Sequence, residues 1–314
     1  MQTRKLVFPI TLLALSAGLC SAAQLSNDAK ASIPREVQQI ISVDYRAMQN
    51  SSAAMELKNR VLPPELKKLE GALKSSGLKV DQDADVLTFA AFRDGAQSSR
   101  IVGIAQGQFH TREIMANFVK NKIKPTMLRS NSIYPMGQNG MSVAFLNQTT
   151  MVFGDRSSLQ SALDVRDGLQ QSFLSNSEMV DQMLSVDQNA VWSILDQKGT
   201  QTMMQSVLGD ASQLGDYDVV RDRMKTSRYT MDFQNGVKFD MAVVMSDTMT
   251  AATCATLLKG VSLLKKTQGN PLEKTALDLT TIDSNSGTLT VSYASSDSQF
   301  ASLLKSPLFQ SVVH

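Results

Sequence analysis

Histidine and cysteine are nearly absent from this chain, at two residues each in 314. Their scarcity removes several chemistries before any motif is sought. Cys20 falls in an N-terminal leader, so the mature chain keeps only Cys254, His110 and His314. The usual zinc ligand sets cannot be assembled from those three within one chain. A Ser-His-Asp hydrolase would have to use His110, and no G-x-S-x-G elbow is present to pair with it. Nucleotide fingerprints are missing too. Gly103 and Gly107 do not complete G-x-G-x-x-G, and there is no G-x-x-x-x-G-K-[ST] loop. The S-x-x-K pattern occurs at Ser76–Lys79 and Ser262–Lys265, without the S-D-N and K-T-G elements of penicillin-recognising enzymes. With one Trp and 6% aromatics, the chain has little stacking surface for sugars.

Charge of one sign is also lacking. The whole chain has 31 basic and 29 acidic side chains. Arg4 and Lys5 belong to the leader, so the mature chain is left with 29 of each. A neutral, mixed surface offers no electrostatic reason to expect nucleic acid or an anionic membrane as partner. Lys120, Lys122 and Lys124 form a short basic run without interleaved aromatics; at a helix end such a run suits the helix dipole.

The leader is expected to be an export signal. Arg4 and Lys5 precede an apolar stretch over residues 6–20, and Ala23 with Ser21 offers small residues before Gln24. Pro9 and the short length argue against a retained span. Leu19 before Cys20 does not fit a lipoprotein signal. The expected organisation is a signal peptide over 1–23, a first α+β unit over 24–185 and a second over 186–314. The expected location is secreted or periplasmic after cleavage before Gln24, with no membrane span in the mature chain. Cys254 has no partner for an intramolecular disulfide. A chain of this length can build a core without such staples, and Cys254 reads as a small buried hydrophobe.

What is present is a repeated order of elements. Apolar strand-length runs at residues 39–45 and 190–196 each reach an Asp, at Asp44 and Asp196. Helical material follows: Pro63-Pro64 opens a helix carrying Leu66, Leu69 and Leu73 that Gly77 stops. Residues 201–208 and 219–224 take that place in the second half. A hairpin then spans residues 85–106 about the turn Arg93-Asp94-Gly95; its counterpart spans 227–245 about Asn235-Gly236. A helix follows each, with Thr111 and with Asp247 or Thr248 as expected caps. A second hairpin covers residues 141–153, matched by 277–293. Each half closes on an amphipathic helix, capped by Asp155 or by a Ser296/Gln299 capping box. The expected fold class is therefore α+β: two similar units of antiparallel sheet with helices packed on one face, by internal duplication. The polar stretch over 176–188 reads as the junction.

Some segments resemble a known group. The strand ending at Gly154-Asp155, the following helix with Leu159, Ala162 and Leu163, and the closing Asp167-Gly168 are similar to uncharacterised secreted bacterial proteins of unknown function. The runs at 191–197 and 298–304 are similar as well. The resemblance implies export and a duplicated α+β fold, and supplies no activity or catalytic residue.

Few candidate sites stand above this background. Asp81, Asp83 and Asp85 have D-x-D-x-D spacing, but Val86 and Phe92 occupy the Gly and Glu places of a calcium loop. His110 stands at a strand-to-helix junction without a catalytic partner. Met179 with Met183 and Met203 with Met204 read as core. The apolar tail with Pro307, Leu308, Phe309, Val312 and Val313 is expected to pack on its own domain or on another copy. No catalytic residue, metal ligand or cofactor is assigned, and the oligomeric state is left open. The expected function is an exported, non-enzymatic binding or interaction protein for a small molecule or protein, using the cleft between two lobes or an exposed sheet face. The alternative is a hydrolase relying on strand-end carboxylates such as Asp44, Asp155 or Asp196.

Overall fold

The computed structural model describes residues 24–61, 64–94, 98–137, 140–209 and 217–306. The leader over 1–23, Pro63, Gly95 and the tail over 307–314 lie outside the described residues.

The first half runs α1 (Asn27–Ala31), β1 (Val37–Asp44), α2 (Tyr45–Gln49), α3 (Ser52–Val61), α4 (Pro64–Ser75), α5 (Val80–Asp83), β2 (Ala84–Asp94) and β3 (Ser98–Gly107). It continues with α6 (Thr111–Lys120), β4 (Thr126–Leu128), β5 (Asn131–Pro135), β6 (Met141–Phe145), β7 (Thr150–Asp155) and α7 (Arg156–Arg166). α8 (Ser177–Leu184) leads to the second half: β8 (Val191–Leu195), α9 (Gln197–Leu208), α10 (Tyr217–Asp222), β9 (Met224–Asp232) and β10 (Val237–Met245). α11 (Thr248–Gln268), α12 (Pro271–Asp278), β11 (Thr280–Asn285), β12 (Thr288–Ser295) and α13 (Asp297–Leu303) complete it.

All twelve strands join one antiparallel sheet in the order β11-β12-β10-β9-β8-β1-β2-β3-β7-β6-β5-β4. Outward from the β1/β8 seam the two halves repeat: β1-β2-β3-β7-β6 on one side, β8-β9-β10-β12-β11 on the other. β1 and β8 pair antiparallel, with Ile40 opposite Ile194 and Val43 opposite Val191. The α+β class and the matched order of strands hold, and the halves share one continuous sheet.

Strand alternation fixes what each face does. Ile40, Ala90, Ile104, Val152 and Ile194 point to one face, where they pack with Leu159 and Leu163 of α7 and Met179 and Met183 of α8. Ala105, Val143, Met151 and Phe153 point to the other, under Leu69 and Leu73 of α4 and Ile114 and Phe118 of α6. The first half is thus covered on both faces, which corrects the expectation of helices on one face. Its strands β6 and β7 are nearly continuous apolar runs, as a doubly covered sheet requires. The second half keeps the one-sided arrangement. Met241 and Val243 pack against Ala251, Cys254 and Leu258 of α11, whereas Lys238 and Asp240 between them face solvent. Its open face is polar, with Ser292 Oγ donating to Asp240 Oδ1 at 2.6 Å.

The closing helices differ accordingly. α7 docks on the face of Val152, but Phe300 of α13 packs with Val237 and Val191 on the opposite face. They are matched in sequence order and not in position. Three further corrections concern local structure. The polar stretch 176–188 contains α8, capped by Asn176, whose Met179 and Met183 are core. Leu277 belongs to α12, started by Pro271 and an Asn270/Glu273 capping box, so the strand begins at Thr280. Thr111 is the first helical residue of α6, and the cap position is His110.

Other local signals act as read. Gly77 after α4 has φ 88° and Gly236 in the β9–β10 turn has φ 86°, both in the left-handed region that glycine enters freely. Asp155 caps α7, and Ser296 with Gln299 forms the capping box of α13. Asp247 caps α11: the Thr250 backbone N–H and hydroxyl each donate to it at 2.8 Å. Those bonds, with Ser246 and Arg223 adding smaller contributions, hold its carboxyl down at about 2. A folded value below the unfolded one of about 3.9 gives stability that is present above pH ~4 and lost as pH falls through about 2. The difference in Tm between wild type and Asp247→Asn is expected to be steady near neutrality and to close between about pH 4 and 2. A difference that stays constant through that window would contradict this origin.

Candidate functional site

The seam between β1 and β8 ends in a groove to which both halves contribute. It holds about 680 Å³ and is lined by Asp44, Arg46, Asn50 and Asp85 from the first half and Gln188, Asp232 and Phe233 from the second, among others. Its position follows from local chemistry. β1 ends at Asp44, whose side chain accepts from the Ala47 N–H at 2.8 Å and so starts α2 directly beside the sheet. The Asp44 N–H donates to the Ala190 carbonyl at 2.6 Å, tying this corner to the approach of β8. Phe233 and Val86, both nearly buried, form apolar walls.

Three carboxylates line the groove, and each already has local work. Asp44 caps α2, Asp85 pairs with Arg46, and Asp232 Oδ1 accepts from the Gln234 N–H at 2.8 Å. Arg46 remains 68% exposed along its side chain, so its guanidinium keeps donors for a ligand. The lining is mixed, with acceptors, donors and apolar walls.

The far end of the seam has a smaller polar hollow of about 420 Å³. There Arg93 of β2 pairs with Asp196, the cap of α9, across the two halves. Asp44 and Asp196 therefore occupy matching positions, each ending the first strand of its half and capping the helix after it. The same holds of Asp155, which ends β7 and caps α7. Asp44, Asp155 and Asp196 are thus helix caps in three separate places, and the structure does not bring them together.

The other sequence candidates are also dispersed. Asp81 is exposed on α5, Asp83 accepts from the Lys79 N–H at 2.8 Å, and Asp85 turns to Arg46. Among the described residues no group of three His, Cys, Asp or Glu side chains is placed to hold a metal. His110 is exposed at the start of α6 without a side-chain capping bond. Ser76 is buried and donates to the Ala72 carbonyl at 2.9 Å, a helix-end role. Met179, Met183 and Met204 are core. Cys254 is fully buried in α11, and burial pushes its thiol up to about 11, so it is no ready nucleophile. No described helix is long and apolar enough to cross a membrane.

Sequence reasoning missed Arg46, Asn50 and Phe233 as groove residues. The only available signal was the strand-to-helix Asp at position 44, because the groove forms where segments nearly 190 residues apart meet.

No protein-family model matches the chain, and no curated protein matches it. Solved structures do. The chain is similar to crystal form III of TP0453 at 10% identity and TM-score 0.51, covering 88% of this chain and 96% of that one. Crystal form I matches at 9% identity and TM-score 0.49, over 91% and 97%. At such identity the likeness concerns the fold alone, a distant kinship to an α+β architecture of the same extent.

Proposed function

We propose that the mature chain is an exported binding protein without catalytic chemistry, holding a small polar or mixed molecule in the groove at the seam of its two halves. The observation that carries the reading is the groove itself: about 680 Å³, built by both halves, with apolar walls and a few convergent polar groups. Ligand sites favour such junctions and fall in this size range. The carboxylates there serve as cap, ion pair and turn, which suits recognition better than proton transfer. Export rests on the sequence of the leader, with its positive start, apolar stretch and small residues before Gln24.

Ligand carried through purification stabilises the folded state by mass action. Protein as isolated is therefore expected to melt several degrees above the same protein after unfolding, dialysis and refolding. Asn50→Trp, which fills the groove from an exposed position, is expected to abolish that gap. Equal melting of isolated and refolded wild type would count against the reading.

A further inference from the structure

A second and independent cavity lies inside the first half, between α4 and the sheet. Leu69, Leu73, Phe89, Phe109 and Met151 line it, with Lys58 and Glu70 at the mouth. Its interior room is about 50 Å³, below the roughly 150 Å³ that admits a benzene ring. Only the end of an apolar tail goes inside, and the remainder of a ligand lies along the mouth.

The mouth has a definite polarity. Lys58 of α3 is only 13% exposed, and its ammonium donates to Tyr45 Oη and to Glu70 Oε1, the latter at 3.2 Å. Burial pulls the ammonium's pKa down, but Tyr45 and Glu70 outweigh it, and the net shift is upward. Lys58 therefore stays charged, and so nearly buried a charge must keep a partner. Glu70 is under no such constraint. At 36% exposed it can turn to water at small cost. The exchangeable member of the pair is the carboxylate.

We propose that this cavity binds a small amphiphile with an anionic head, the tail end entering beneath α4 and the head taking the place of Glu70 on Lys58. A cationic head meets the ammonium unfavourably, and a neutral head cannot replace the charge that Lys58 loses. The alternative is that the Lys58–Glu70 pair only clips α3 to α4 over a packing void.

Calorimetric titration of the full mature chain with octanoate and with octanol separates these. Wild type is expected to bind octanoate at least tenfold more tightly than octanol. Lys58→Met should erase that preference, and Glu70→Gln, which removes the competing carboxylate, should tighten octanoate. Ala105→Val, placed on the cavity wall, should weaken both ligands, with melting curves confirming that each variant folds. Equal binding of octanoate and octanol by wild type, or a preference that survives Lys58→Met, would overturn the role given to Lys58. Binding of neither would leave the cavity as packing alone and overturn the proposal, without bearing on the seam groove, whose test uses Asn50→Trp.

Discussion

Trp192→Ala is expected to cost about 3–5 kcal/mol of unfolding free energy, and both halves of the protein should weaken together. Trp192 is fully buried on β8, opposite Ser42 of β1 and Thr230 of β9. It belongs to the core that includes Ile40 and Phe173 from the first half, Met179 and Met183 of α8, and Ile194 from the second. Truncation therefore opens a cavity at the joint of the sheet. The second shared core says the same, because Ala53 and Ala54 of α3 pack with Phe233 and Phe300. A duplicated chain with two private cores would unfold in two steps. Two shared cores and a continuous sheet predict one cooperative step. In urea, the fluorescence of Trp192 and the far-UV circular dichroism of the wild type should give coincident curves. Two separated transitions, or a loss below about 1 kcal/mol for Trp192→Ala, would contradict the shared core.

Gly107→Ala is expected to destabilise by about 3 kcal/mol, at the upper end of overpacking effects. A Cβ at Gly107 would stand 1.9 Å from the Asp83 carbonyl oxygen and 2.8 Å from the Ala84 Cα, both backbone atoms. The same Asp83 oxygen accepts from the Gln108 N–H at 2.9 Å, and Gly107 pairs with Ala84 where β2 begins. There is nothing flexible to give way, so the end of the β2–β3 hairpin must part. The matched control is Gly260→Ala, inside α11 with no atom within 4 Å of the new Cβ. It should stabilise by roughly 0.5–1 kcal/mol through helix propensity. Chemical denaturation of the two variants reads this contrast, and similar midpoints would refute the packing argument.

Gly107 also illustrates what the sequence carried and what it did not. Gly103 and Gly107 fail as a nucleotide fingerprint, and the fold supplies their reason: Gly103 lies against the ring of Phe153, and Gly107 against the turn into β2. Such close approaches link distant segments and leave no local pattern. The local signals were legible. Asp44, Asp155, Asp196, Asp247 and Ser296 cap helices where strands end. The hairpins and the repeated strand order were legible as well. The number of covered faces was written in the strands but not read from them. Val143-Ala144-Phe145 and Met151-Val152-Phe153 are apolar on both parities, whereas Lys238 and Asp240 alternate with Phe239 and Met241. The short strands β4 and β5 escaped notice, since three and five residues are too few to show a period. α8 was hidden because Met179, Val180 and Met183 stand among Ser, Glu, Asp and Gln.

The seam groove was the least legible feature. Asp44 was singled out as a possible acid, and it turned out to position the groove by capping α2. Arg46, Asn50 and Phe233 carry no motif. Their meeting depends on β1 pairing with β8, a contact across about half the chain.

The account's central claim is that the groove holds a small molecule in the exported protein. Native mass spectrometry of the chain purified from its own secreted or periplasmic fraction tests this most directly. The prediction is a mature chain beginning at Gln24 with one discrete adduct that collisional activation releases, and an Asn50→Trp chain without it. A wild-type chain that flies bare, or an adduct that Asn50→Trp retains, would contradict the claim.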